Sequence, residues 1–340
     1  MRVNAPGVCS PVRPTPYPHR MTDAMPTIDL RPWFSGEGDE RAAVAAAVDE
    51  ALQRSGFMLV TGHGVPTRSA AAVRSRAARF FALPDGVKRH YAAGPDGRGW
   101  LPPGVEANGY SEGTATAPDL KESLSFGADT PTGDPAVDAR WFQPNPWPRE
   151  IAGLARVFQD YIRLMRELAD RLMSLCAAAL DLPEDYFGEY CRHPTYTFNV
   201  NHYPSLSVVG PPDPEQFRIG PHTDFGTLTL LDRQPGAGGL QVFTGDGDWV
   251  DAPFHPEALT VNVGDLLARW TGDRWTSARH RVLPPQPQAA NEDLTSLVYF
   301  HECDHDALVE SMPPPIGHRR YTPVYAADYL EEQYRAISLG

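Results

Sequence analysis

The chain has 340 residues, a formal charge of −13 and a pI near 5.3, so a nucleic-acid backbone or an anionic bilayer would meet net repulsion and neither is expected as a partner. Apolar residues make up 41% and charged residues 21% of it, the balance of a globular protein rather than a disordered one, and no run approaches the roughly 18 apolar residues of a membrane span. Cys9, Cys176, Cys191 and Cys303 include no C-x-x-C pair, which argues against a disulfide framework or a zinc ribbon and for a reducing, cytoplasmic setting.

Residues 1–24 are basic and proline-rich without the apolar stretch of a signal peptide, and are expected to form a loose tail. PTIDLRPW (26–33) reads as a short strand, and ERAAVAAAVDEALQRSG (40–56) as an alanine-rich helix stopped at Gly56. FMLVTGHGVP (57–66) has the character of a buried strand, and TRSAAAVRSRAARFFALP (67–84) that of a helix closed by Pro84. From Ala92 to Gly133 the composition predicts loops, with one strand over 121–127. Within 147–183, Ile151, Leu154, Phe158, Tyr161, Met165, Leu168, Leu172 and Leu175 recur at three- and four-residue steps. That spacing makes one wide apolar stripe on a long helix, suited to bracing a sheet.

Beyond Thr195 come short β-rich runs: TYTFNVNHYP, FRIGPHTDFGTLTLLDRQ, GGLQVFTGDGDWVDAP, ALTVNVGDLLARW, TSARHRVLPP and LTSLVYFHE. Their spacing predicts an antiparallel sandwich or barrel, so the fold class is mainly β with flanking helices. The expected divisions are an N-terminal region at 25–135, a bracing-helix region at 136–190, a β-rich region at 191–310 and a C-terminal extension at 311–340.

Within IGPHTDFGTLTLL, His222 and Asp224 stand two residues apart, so in a strand both would leave on the same face. His280, in the ARHRV run, supplies a second imidazole. Two imidazoles and one carboxylate on one side of a metal suit non-haem Fe(II), leaving positions open for co-substrate and dioxygen. The set has no thiolate, which disfavours structural zinc. The other histidines carry less weight: His202 alternates away from Asn201 and Tyr203, His63 sits in a Gly-His-Gly turn, and His301, His305 and His318 are expected to be solvated or capping.

At these residues the chain resembles the isopenicillin-N-synthase-like branch of the Fe(II)- and 2-oxoglutarate-dependent dioxygenases. HTDFGTLTLL, GGLQV, VNVGDLLARWTGDRWTSARHRV and NHYP (201–204) are similar to its catalytic half, and GFMLVTGHGVP and RFFALPDGVKRHY to its N-terminal half. The resemblance implies a double-stranded β-helix (jelly-roll, cupin-like) core, with His222, Asp224 and His280 as catalytic iron ligands. It also implies 2-oxoglutarate and O2 as co-substrates and an oxidation that yields succinate and carbon dioxide. The substrate it implies is a small secondary metabolite that is hydroxylated, desaturated or cyclised by a monomer or weak homo-oligomer.

One departure stands out. The family pattern is an Arg-x-Ser pair on the last core strand, where the arginine fork grips the distal carboxylate of 2-oxoglutarate. Here Ser296 matches the serine and Leu294 stands in the arginine position. Tyr203, Asn201 and Ser296 are the remaining co-substrate candidates, with Arg269 or Arg218 as a replacement cation. Two alternatives stay open: an oxidase that uses Fe(II) and O2 without 2-oxoglutarate, and a non-catalytic jelly-roll binding protein.

Overall fold

The computed structural model describes residues 25–94, 97–109, 117–213, 215–237 and 239–337. The expected tail at 1–24 and part of the 92–133 loop region lie outside them. Two sheets form the core. The larger has eight strands in the order β1-β2-β10-β7-β12-β5-β4-β3: Thr27–Asp29, Phe57–Thr61, Leu259–Val263, Leu228–Asp232, Leu294–His301, Tyr196–Tyr203, Glu122–Gly127 and Gly99–Leu101 respectively. The smaller has the order β6-β11-β8-β9, from Ile219–His222, His280–Val282, Leu240–Phe243 and Trp249–Asp251. Apart from the parallel β1–β2 pair, every neighbouring pair in these two sheets is antiparallel. This is a mainly β, jelly-roll core with flanking helices.

Apolar packing explains the layering. Phe57 and Leu59 of the large sheet cluster with Leu240 and Val242 of the small one and with Ala252 and Ala278 just outside its strands, so the sheets close over a core of their own. The opposite face of the large sheet is covered by helices. Leu154–Ala179 is a 26-residue helix whose Leu154, Phe158, Tyr161, Met165, Leu168, Leu172 and Leu175 are all buried. It packs on β7, β12 and the helices at Asp39–Arg54 and Thr67–Phe81, which is the bracing role its periodicity predicts. Arg74 fastens the second of those helices, bonding Asp232 Oδ1 at 2.6 Å and the Thr295 carbonyl at 3.0 Å.

Two expected strands are shorter than their apolar runs. Only Thr27–Asp29 of PTIDLRPW is extended; Arg31–Ser35 is a helical turn, because Pro32 suits a helix's first turn and cannot donate to a ladder. Likewise ALTVNVGDLLARW is a strand only to Val263. Gly264 turns the chain, and Asp265–Trp270 is helical with Leu266, Leu267, Ala268 and Trp270 buried. Leu, Ala and Arg favour helix once the turn is made.

The stripe of the long helix yields a direct test. Leu172 is fully buried, so Leu172→Ala should lower unfolding stability by about 2–5 kcal/mol, read as a drop in the urea midpoint at unchanged m-value.

A candidate metal centre between two chambers

β6 and β11 pair with His222 and His280 as Cα partners, so both side chains leave on the same face. Their ring centroids are 4.2 Å apart. Each Nδ1 is tied to the carbonyl two residues back, His222 to Gly220 at 2.8 Å and His280 to Ala278 at 3.1 Å. With Nδ1 carrying the proton, each Nε2 keeps its lone pair for a ligand.

Asp224 lies beyond the end of β6, in the turn leading to β7, so strand alternation alone does not place it. Its main-chain carbonyl accepts from Asp265 N at 2.7 Å, and Asn262 Nδ2 donates to its Oδ2 at 2.7 Å. Its Oδ1 therefore turns to the imidazoles, 3.6 Å from each Nε2. That is too long for hydrogen bonds. It suits atoms that share an ion, since ligands about 2.1 Å from a metal stand roughly 3–3.5 Å from one another. The three ligand atoms all lie within 4.8 Å of one another. The observed donor set, two nitrogens and one carboxylate with no thiolate, fits Fe(II).

Burial tunes these groups for that task. It pushes His222 down to about 4, and His280 beside it acts in the same direction, so the imidazole is neutral. Burial by itself would raise Asp224, but the imidazoles and the hydrogen bonds from Asn262 and Thr229 outweigh it and hold the carboxyl below its usual range. A neutral imidazole and an ionised carboxylate are the ligating forms.

Asn201, Ile219, His222, Asp224 and Phe300 form a wall shared by two chambers. The first, of about 390 Å³, is lined by Tyr203, Arg218, Arg233, Leu294 and Ser296 among others. The second, of about 280 Å³, is lined by Arg98, Lys121, Arg140, Asn199, Glu302 and Tyr334 among others. Tyr203, Asn201 and Ser296 thus all line the first chamber, with Ser296 opposite Asn201 and Leu294 opposite Tyr203 across the β5–β12 pair. Leu294 lines this chamber as well.

Arg269 does not line either chamber. The helix that starts after Gly264 carries it outward, where its guanidinium bonds the Thr322 carbonyl at 3.0 Å and stacks on Tyr321 and Tyr329; the expectation of Arg269 as a co-substrate cation is corrected. Arg218 lines the first chamber but is ion-paired with Glu292 at 3.1 Å. His202 faces away as alternation predicts, bonded to Glu122 and Asp293 and stacked on Phe81, and His63 bonds the Glu257 carbonyl. His301 is not solvated. As the last residue of β12, paired with Leu228 and Tyr196, it is fully buried, and burial pulls its pKa down to about 3.

Asn262, Thr229 and Glu302 are site residues that motif spacing misses. A faint signal exists for Asn262, the side-chain amide in LTVNV, all five of whose residues are buried.

Comparison with known proteins agrees with this geometry. Residues 25–150 match the model described as "non-haem dioxygenase in morphine synthesis N-terminal", and residues 194–316 match that of the 2OG-Fe(II) oxygenase superfamily. Validamycin A dioxygenase of Streptomyces hygroscopicus subsp. limoneus is 41% identical over 87% of this chain and 82% of its own length. A 2-oxoglutarate-Fe(II) type oxidoreductase of Metarhizium majus is 32% identical over 94% and 89%. Among solved structures, a full-length Neurospora crassa protein in complex with alpha-KG superposes with a TM-score of 0.79 at 27% identity, covering 92% of this chain and 96% of that one. These relatives support the 2-oxoglutarate-dependent reading over the oxidase without 2-oxoglutarate and the non-catalytic binding protein. The chain belongs to the 2OG-Fe(II) oxygenase superfamily and is a dioxygenase that uses Fe(II), 2-oxoglutarate and O2.

Proposed function

We propose that His222, Asp224 and His280 hold the iron, that the first chamber takes 2-oxoglutarate beside Tyr203, Asn201 and Ser296, and that the second takes a small, polar, hydroxyl- or amine-bearing secondary metabolite. Iron held by these residues would supply the oxidising chemistry, with O2 taking two electrons from 2-oxoglutarate as it becomes succinate and carbon dioxide and two from the substrate as it is oxidised. The protein's part is placement. Tyr203 and Ser296 offer hydroxyls to the co-substrate, Asn262 fixes the Asp224 carboxylate, and the shared wall sets the substrate against the metal face. Hydroxylation is the default outcome, while desaturation or cyclisation requires another fate for the same substrate carbon. A cytoplasmic setting fits the buried thiols of Cys176, Cys191 and Cys303. No helix among the described residues is long and apolar enough to cross a membrane.

One observation carries the substrate class. Asn199 Oδ1 and Glu302 Oε2 are buried without a hydrogen-bond partner among the described residues, and both residues line the second chamber. A buried polar group left unpaired costs about 1–3 kcal/mol, and a ligand rich in hydroxyl or amino groups would satisfy both. Burial, with Asp224 adding to it, holds the Glu302 carboxyl well above its usual range, so it is a neutral donor as well as an acceptor. The validamycin A activity of a 41% identical relative supports a metabolite of this kind.

Three outcomes are expected. Asp224→Ala should abolish stoichiometric Fe(II) binding, and Asn262→Ala should weaken it by about 10–100-fold, both read by anaerobic metal titration. Validamycin A, cyclitols and amino sugars should stimulate succinate formation where apolar metabolites do not; a preference for the apolar set would refute the polar substrate class. Because Glu302 binds its proton more tightly in the folded chain than in the unfolded one, its contribution to stability is full below the ordinary glutamate range and fades as pH rises. In urea melts of the metal-free protein from about pH 5 upward, wild type should therefore lose stability relative to Glu302→Gln, with a limiting slope of roughly 1.4 kcal/mol per pH unit.

A further inference from the structure

With Leu294 in the family's arginine position, the first chamber needs another cation for the far carboxylate of 2-oxoglutarate. Arg218 is already ion-paired with Glu292, and Arg269 is outside both chambers. Lys121 lines the second chamber and pairs with Glu106, while Arg140, also on that side, pairs with Glu331.

Arg233 differs from all of these. The β7–β12 register runs Val298 to Leu231 and Leu297 to Asp232, so the next step along the pair sets Arg233 opposite Ser296. Thr229, Leu231 and Arg233 alternate onto the chamber from one strand, as Leu294, Ser296, Val298 and Phe300 do from its neighbour. Both hydrogen bonds of Arg233 leave from Nη2 and go to main-chain carbonyls, Ala252 at 3.1 Å and Pro253. Its guanidinium lies 5.7 Å from the Phe254 ring centroid. Among the described residues no carboxylate pairs with it, and Nε and Nη1 have no acceptor. Burial without an anion nearby pulls its pKa down to about 10.

We propose that Arg233 grips the distal carboxylate of 2-oxoglutarate, the cation standing one strand away from its family position. Neighbouring strands are about 4.8 Å apart, a gap that the arginine stem spans. Ser296, directly across, and Tyr203, across from Leu294, offer hydroxyls to the same carboxylate. Leu294 fills the arginine's usual place against Gly236, where an added Cβ would come within 2.7 Å of its Cδ1. This assignment rests on the reading of the first chamber as the co-substrate site.

The test compares 2-oxoglutarate with 2-oxopentanoate, which keeps the chelating end and lacks the distal carboxylate. Each is titrated anaerobically into Fe(II)-loaded protein and followed by its visible charge-transfer absorption, with Fe(II) binding measured separately on the metal alone. Wild type should strongly prefer 2-oxoglutarate. Arg233→Met should weaken 2-oxoglutarate on the order of 100-fold and leave Fe(II) and 2-oxopentanoate unchanged, so the preference collapses; adding Leu294→Arg should restore part of it. If the Met variant also loses Fe(II), Arg233→Lys decides, and its preference must still fall on the order of 10-fold. Unchanged 2-oxoglutarate affinity, or equal losses for both oxo acids with Fe(II) binding intact, overturns the assignment. Wild-type protein that takes up Fe(II) but shows no preference overturns the co-substrate reading of the chamber and this assignment with it.

Discussion

The pairing of His222 with His280 across β6 and β11 is the constraint on which the rest of the site depends. Side chains alternate with a period of two, so slipping either strand by one residue would turn one imidazole to the opposite face and leave no bidentate nitrogen pair. The register is held from both sides, because β11 also pairs with β8 through His280 and Val242, and Val242 is buried in the core between the sheets. Metal geometry is thus inherited from apolar packing. The imidazole orientation is local: each ring bonds the carbonyl two residues before it, so the same short-range bond is used twice on facing strands.

Asp224 needs a different kind of support, since it stands on a turn. Gly264 N bonds the Thr227 carbonyl at 2.8 Å, Asp265 N bonds the Asp224 carbonyl, and an added Cβ on Gly264 would meet the Gly226 carbonyl at 2.4 Å. Only glycine allows the two backbones to come so close. The turn is pinned from β12 as well, where the His301 carbonyl accepts from both the amide and the hydroxyl of Thr227. This crowding leaves Glu302 folded over Gly226, where an added Cβ would stand 1.9 Å from its Oε2. A buried carboxyl so close to the Asp224 turn is tolerable as the neutral acid, since a second unpaired negative charge there would face both desolvation and repulsion.

What could be read in the sequence follows from which signals are local. The long helix announces itself through Leu154, Phe158, Tyr161, Met165, Leu168, Leu172 and Leu175, because helical periodicity needs no distant partner. His222, Asp224 and His280 were legible through an unusual combination of residue types and a family likeness. Arg269 misled because ALTVNVGDLLARW is apolar-rich on both sides of Gly264, and an apolar-rich run alone does not separate strand from helix. Gly264 makes the switch, and with it the arginine leaves the sheet. His301 misled because the end of an apolar strand looks like the start of a loop, whereas β12 keeps both neighbours to its last residue.

Arg233 was hidden for a subtler reason. A motif such as Arg-x-Ser records neighbours along one strand, but the ligand meets side chains across strands as well. Moving a cation from β12 to the adjacent end of β7 erases the motif and changes the location of the charge by about one strand spacing. The two observations that bring it into view are both non-local: the Leu297–Asp232 register, and the contrast between Arg218, which has Glu292, and Arg233, which has only carbonyls. A chamber with one neutralised arginine and one uncompensated arginine is asymmetric in charge. That asymmetry orients a dicarboxylate, because only one end of the molecule can meet the uncompensated cation while the other end reaches the wall formed by His222 and Asp224.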